Sequence, residues 1–130
     1  RTDTDMTYRI DSSGKVEAIT TFEDGPYLEA PLILLVDDGT GSSAEVFSAC
    51  LQETGRAKLV GSKQYTYGKA VIQTLMRLSD GSAVRVTTAK YQTPKKNDIN
   101  KRGIEVDVVK DCPTGAAAVA CVASEFPSKL

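Results

Sequence analysis

The chain has 130 residues, enough for one domain and hardly two. Apolar residues make up 41% and charged residues 25%, which excludes a disordered chain and leaves material for a packed core. Sixteen basic and 17 acidic residues leave a net charge of -1, without the basic footprint of a nucleic-acid partner or a polybasic membrane anchor.

The elements are read in chain order. Residues 7–22 hold two strand-like runs on either side of Ser12-Ser13-Gly14, a hairpin pattern. Gly25, Pro26 and Pro31 then mark a loop, so residues 1–25 are read as an N-terminal arm and 26–130 as the main body. Leu32 to Val36 is a short continuous apolar run, the pattern of a strand buried on both faces of a parallel sheet. Gly39-Thr40-Gly41-Ser42-Ser43 is a small-residue turn. From Ser43 to Thr54, residues Val46, Phe47, Ala49, Cys50 and Leu51 fall at helical spacing, and Gly55 supplies a C-terminal stop. Lys58 to Gly61 is a second short strand, which completes a βαβ unit.

Ser62 to Lys69 reads as a polar loop. Val71–Leu78 and Ala83–Ala89 form a hairpin around Ser79-Asp80-Gly81-Ser82. Thr93 to Asp98 is a surface loop, Val106 to Val109 a short edge strand, and Pro113 to Ser124 a helix with proline in its first turn. The fold class is therefore α/β. No run of about 18 apolar residues is present to span a membrane. The opening RTDTDMTYRI lacks the charged and apolar regions of a secretory signal and an initiator Met, which suggests a mature form or an excised fragment.

Histidine is absent, so no Ser-His-Asp triad, Cys-His pair or His-ligated zinc site can be built from these residues. The three cysteines show no CxxC spacing. Cys50 reads as a small core residue. Cys112 and Cys121 bracket a short helix and either pair or stay free, so the redox compartment is open.

Several motifs fail on inspection. A phosphate loop ending at Gly68-Lys69 would need glycine at position 63 and Ser or Thr at 70, which hold Lys63 and Ala70. A GxSxG elbow around Ser42 would need glycines where Thr40 and Ala44 stand. Ser12 and Lys15 match SxxK but lie in a hairpin turn. Ser42 differs, because it stands where a strand hands over to a helix, after Gly39 and Gly41. A helix N-terminus offers unpaired N-H groups to a developing oxyanion. Ser42 and Glu45 also fit a capping box, a purely structural role. Without histidine, a serine nucleophile needs another base, and Lys69 behind Gly68 can serve as one when desolvated.

The stretch PLILLVDDGTGSSAEVFSACLQETGRAKLVGSK, continuing through YGKAVIQTLMRLSDGSAVRVTTAKYQTP to RGIEVDVV, resembles the carboxyl-terminal processing peptidases, or tail-specific proteases. These are serine peptidases with a Ser-Lys dyad. The YQTP and DINKRGI segments are most similar in look to the chloroplast and cyanobacterial enzymes that mature the photosystem II D1 protein. The resemblance implies the C-terminal part of a crotonase/ClpP-like catalytic core. It places the nucleophile at Ser42, the general base at Lys69 and an orienter of the lysine at Glu45. It also assigns an oxyanion-hole N-H to Ser43 and supporting roles to Gly41, Gly68 and Gln73, with Glu53 structural. It implies no metal or other cofactor, and a protein or peptide substrate with a free C-terminal tail. A thylakoid-lumen setting follows from it, with a bacterial periplasm as the alternative. The Lys69 loop is about two residues longer than the family pattern, Ala70 replaces a glycine and Val106 a proline. The substrate-capturing PDZ domain and an upstream Gly-Gly segment are not in this sequence. The alternative is a non-catalytic ligand-binding or assembly module on the same core.

Overall fold

The computed structural model describes residues 2–126. Strand β1 (Asp5–Asp11) turns at Gly14, whose φ of 82° suits glycine, into β2 (Val16–Thr20). Strand β3 (Ile33–Val36) leads to helix α1 (Ser43–Glu53) and then to β4 (Lys58–Gly61). Strands β5 (Val71–Arg77) and β6 (Ala83–Gln92) form the second hairpin. Strand β7 (Val108–Val109), helix α2 (Ala117–Val122) and a 3-10 turn (Ala123–Glu125) follow.

Two sheets result. One is antiparallel, in the order β2-β1-β6-β5, and the other parallel, in the order β3-β4-β7. The first hairpin shares a sheet with the second, because β1 pairs with β6 from Tyr8↔Gln92 to Asp11↔Ala89. The predicted βαβ unit is present, with β3 and β4 in parallel register from Ile33↔Lys58 to Val36↔Gly61.

Three expectations need correction. Strand β3 is an edge strand, with Leu35 45% exposed and only Val36 buried among its residues. No strand pairs with its outer edge among the described residues, and continuous apolarity did not translate into two-sided burial. Helix α1 buries Glu45, Ser48 and Ala49, while Phe47 is 59% exposed and the free Cys50 is half-buried. That partial burial pushes the Cys50 thiol up, with a smaller contribution from Glu53. The last helix starts at Ala117, not in the turn after Pro113, because Gly115 at φ 75° breaks the helical path.

The core consists of Val36, Ala49, Leu59, Ala70, Ile99, Ile104 and Val106, with Leu34 and Tyr91 packed on it. Two departures from the family pattern lie here. Ala70 is fully buried, and its methyl fills core space a glycine would leave open. The Val106 N-H donates to the Gln64 carbonyl at 3.0 Å, a bond proline could not make. At the C-terminal end, Cys112 and Cys121 form a disulfide with their Cα atoms 5.7 Å apart. Closing so short a loop stabilises by roughly 2.5–3 kcal/mol in the chain-entropy picture. Lys110 Nζ donates to the Cys121 carbonyl at 2.6 Å, and Lys58 pairs with Glu125 at 2.7 Å, so this segment is clamped onto β4. The hydrogen bond from Lys58 is the main reason the Glu125 carboxyl sits below the usual carboxylate range.

Candidate active site

The turn between β3 and α1 is built from short-range bonds. Asp37 Oδ1 accepts from Gly39 N and from Thr40 Oγ1, both at 3.0 Å, and Thr40 Oγ1 accepts from Asp37 N. This brings the chain to Ser42 with φ 58° and ψ -124°. A non-glycine residue held there costs of order 1–3 kcal/mol and persists because its surroundings over-determine it. Sharp strand-to-helix turns with a serine at positive φ are how hydrolase elbows present a nucleophile. The GxSxG pattern is absent, yet the backbone at Ser42 takes a sharp turn with positive φ between strand and helix. Ser42 is half-buried. Ser43 opens α1, so its N-H is among those a helix leaves without an internal partner.

Glu45 is fully buried one turn into α1. Its Oε2 accepts from Ser42 N at 3.0 Å and from Lys69 N at 2.8 Å. Its Oε1 accepts from Gly68 N at 2.6 Å and from Thr66 Oγ1 at 2.5 Å. Four donors thus fill the roughly four acceptor sites of one carboxylate. Such satisfaction is what makes burying this group tolerable. The capping-box bond to Ser42 is real, but it is one of four. Glu45 was expected to orient the lysine. Its contact with Lys69 is through the backbone N-H, which it holds together with that of Gly68.

The lysine loop lies directly on the serine turn. Tyr67 N donates to the Thr40 carbonyl at 2.9 Å, and a Cβ on Gly41 would stand 3.3 Å from Tyr67 Cβ. Gly41 therefore permits this approach. On the other side, the loop rests on residues 99–104. Lys101 N donates to the Gly68 carbonyl at 2.6 Å, and Thr66 N to the Ile104 carbonyl at 3.1 Å. A Cβ on Gly68, at φ 85°, would meet Arg102 N and Gly103 N at 2.9 Å. The Lys69 side chain is exposed. Gln73 is exposed on β5 beside a break in register between Ile72 and Gln73. Glu53 accepts from Thr93 Oγ1, Lys95 N and Asn97 Nδ2 and so pins the 93–97 loop.

The structure thus brings together Ser42, Ser43, Glu45, Gly41, Gly68 and the Lys69 backbone, and leaves Gln73 on the adjoining strand. Sequence reasoning assigned no role to Thr66 or Gly103. Gly103 has φ 79°, and a Cβ there would lie 2.3 Å from the Thr66 carbonyl oxygen. Gly103→Ala is expected to cost at least about 2 kcal/mol, from the left-handed backbone and the backbone clash together. Thermal denaturation against the unmodified chain checks this, and an unchanged midpoint would show that the strap moves freely.

Residues 2–110 match the pattern of peptidase family S41. The chain belongs to peptidase family S41. Among curated relatives, the carboxyl-terminal-processing protease of Picosynechococcus sp. is 43% identical over 113 residues, covering 86% of this chain and 27% of that protein. The chloroplastic carboxyl-terminal-processing peptidase 3 of Arabidopsis thaliana is 39% identical over 113 residues, covering 87% of this chain and 21% of that protein. A solved photosystem II D1 C-terminal processing protease superposes with a TM-score of 0.74 at 39% identity, over 83% of this chain and 28% of that one. A lipoprotein from Streptococcus agalactiae shares the fold, with a TM-score of 0.74 at 18% identity, over 96% of this chain and 44% of that one. The chain spans about a quarter of the length of the curated S41 relatives it matches.

Proposed function

We propose that this chain carries the nucleophile and the general base of a serine endopeptidase that cuts near the C-terminus of protein substrates. The observation that carries the reading is Glu45, a buried carboxylate that ties the turn bearing Ser42 to the backbone bearing Lys69. In the reaction, Lys69 Nζ as a free amine takes the proton from Ser42 Oγ as that oxygen attacks the substrate carbonyl carbon. The oxyanion that forms is held by the Ser43 N-H. Collapse of the intermediate breaks the C-N bond, and Lys69 returns the proton to the leaving amine. The acyl-enzyme is then attacked by water, whose proton passes through Lys69 back to Ser42 Oγ.

Lysine serves as a base when desolvated, and Lys69 is exposed here. Its cover, a second oxyanion donor from a Gly-Gly segment and a PDZ domain that captures the substrate tail are assigned to further parts of the complete peptidase. Names of the relatives support a substrate with a free C-terminal tail, and a D1-precursor-like substrate in particular. The Cys112–Cys121 disulfide supports an oxidising setting such as a thylakoid lumen or periplasm. The test is cleavage of a peptide with a free apolar C-terminal tail. The complete peptidase is expected to cut it in a manner abolished by Ser42→Ala, and the 130-residue chain alone is expected not to. Ser42-dependent turnover by the chain alone would show that no further part is needed, and turnover independent of Ser42 would refute the reading.

A further inference from the structure

Thr66 is 94% hidden from solvent, and both its hydroxyl and its N-H are committed. Its Oγ1 accepts from Ile104 N at 2.9 Å and donates to Glu45 Oε1. Its own N-H donates to the Ile104 carbonyl. A single hydroxyl therefore stands between the 99–104 strap and the carboxylate that holds Ser42 N, Gly68 N and Lys69 N.

We infer that Thr66 is a positioning residue for the reaction, acting through Glu45 to fix the lysine loop against the serine turn. This rests on the reading of Ser42 and Lys69 as the reacting pair. The hydroxyl is the feature that matters. A buried hydroxyl has one proton to give and lone pairs to receive. Because Ile104 N occupies the acceptor side, the Thr66 proton is free to be directed at Glu45 Oε1. That bond selects one orientation of the Glu45 carboxylate, the one in which each oxygen faces two donors. Without it Oε1 keeps Gly68 N as its one partner, and the carboxylate's hold on the lysine loop loosens. A misplacement of about 1 Å at such a distance from the chemistry can cost on the order of 100-fold in rate. Thr66 is buried away from the surface a substrate would meet, so the effect is expected on kcat.

Valine keeps the shape of threonine and removes the hydroxyl, whereas serine keeps the hydroxyl. In the complete peptidase, with a peptide bearing a free apolar C-terminal tail, Thr66→Val is expected to lower kcat by about 10–100-fold. KM should stay within about threefold, and Thr66→Ser should restore kcat to within about threefold of the unmodified enzyme. In the 130-residue chain, amide hydrogen exchange reads the same coupling without any turnover. Thr66→Val should speed exchange at Gly68 N and Lys69 N by about tenfold and leave Leu59 and Val60 on β4 unchanged. A Thr66→Val kcat within threefold of the unmodified enzyme, a loss that Thr66→Ser does not reverse, or unchanged Gly68 and Lys69 exchange would overturn the inference. If Thr66→Val does not fold, Thr66→Ala takes its place in both arms, and failure of both to fold would mark a purely structural residue and overturn it too. Turnover surviving Ser42→Ala would instead overturn the reading beneath, and the exchange arm would still decide whether Thr66 positions the loop.

Discussion

Lys69→Ala in the complete peptidase is expected to lower kcat by at least about 10⁴-fold, and Ser42→Ala to do the same. That is about 5.4 kcal/mol of transition-state stabilisation. The chain holds no histidine to take over as base. Glu45, the nearest alternative by position, has both oxygens already occupied by four donors. The double variant should lose little more than either single one, because a nucleophile without its base and a base without its nucleophile fail alike. Lys69→Arg should be equally inactive, since a guanidinium cannot give up its proton to become a base. Single-turnover and steady-state cleavage of a tail-bearing peptide measure all four. A Lys69→Ala enzyme within tenfold of the unmodified rate would place the base elsewhere.

The second large effect concerns stability. Glu45→Ala would leave Ser42 N, Thr66 Oγ1, Gly68 N and Lys69 N without their partner at a fully buried site. Each orphaned buried donor costs roughly 1–3 kcal/mol, and water entering the new space recovers part of it. A net loss of at least about 3 kcal/mol is expected, or a fall of about 10–15 °C in the thermal midpoint of a chain this size. Glu45→Gln is the sharper variant. It keeps the shape, but its amide nitrogen would confront two N-H donors where Oε2 now accepts from Ser42 and Lys69. It should therefore recover only part of the loss. A Glu45→Gln midpoint equal to that of the unmodified chain would mean that the four bonds are not what holds the two loops together.

Much of the architecture follows from local pattern. Apolar runs with glycine-rich breaks are enough to find β3, α1, β4 and both hairpins, because those signals are carried by neighbouring residues. What local pattern leaves open is burial and partnership. Leu35 and Phe47 look like core residues and stand exposed, since apolarity alone does not say which face another element will cover. The β1–β6 pairing joins positions about 80 apart, beyond the reach of any turn signal. At the proposed site, Ser42 and Lys69 were singled out from residue type, the absence of histidine and the family resemblance. The φ of Ser42 was not, because strain is imposed by the surrounding structure and leaves no compositional trace. Glu45 was legible as a residue but not in its bonds, three of which reach across more than 20 positions. Thr66 carried no signal beyond standing in a polar loop. Gly103 offered a faint one, a lone glycine between charged and apolar residues, which the approach of Thr66 explains.

The most direct test of the central claim is covalent labelling with a serine-reactive phosphonate, read by peptide mass. In the complete peptidase, phosphorus should bond to Ser42 Oγ with departure of the leaving group, and the adduct should vanish in both Ser42→Ala and Lys69→Ala. An adduct on the neighbouring Ser43, or labelling of Ser42 at full rate without Lys69, would contradict the pairing of these two residues.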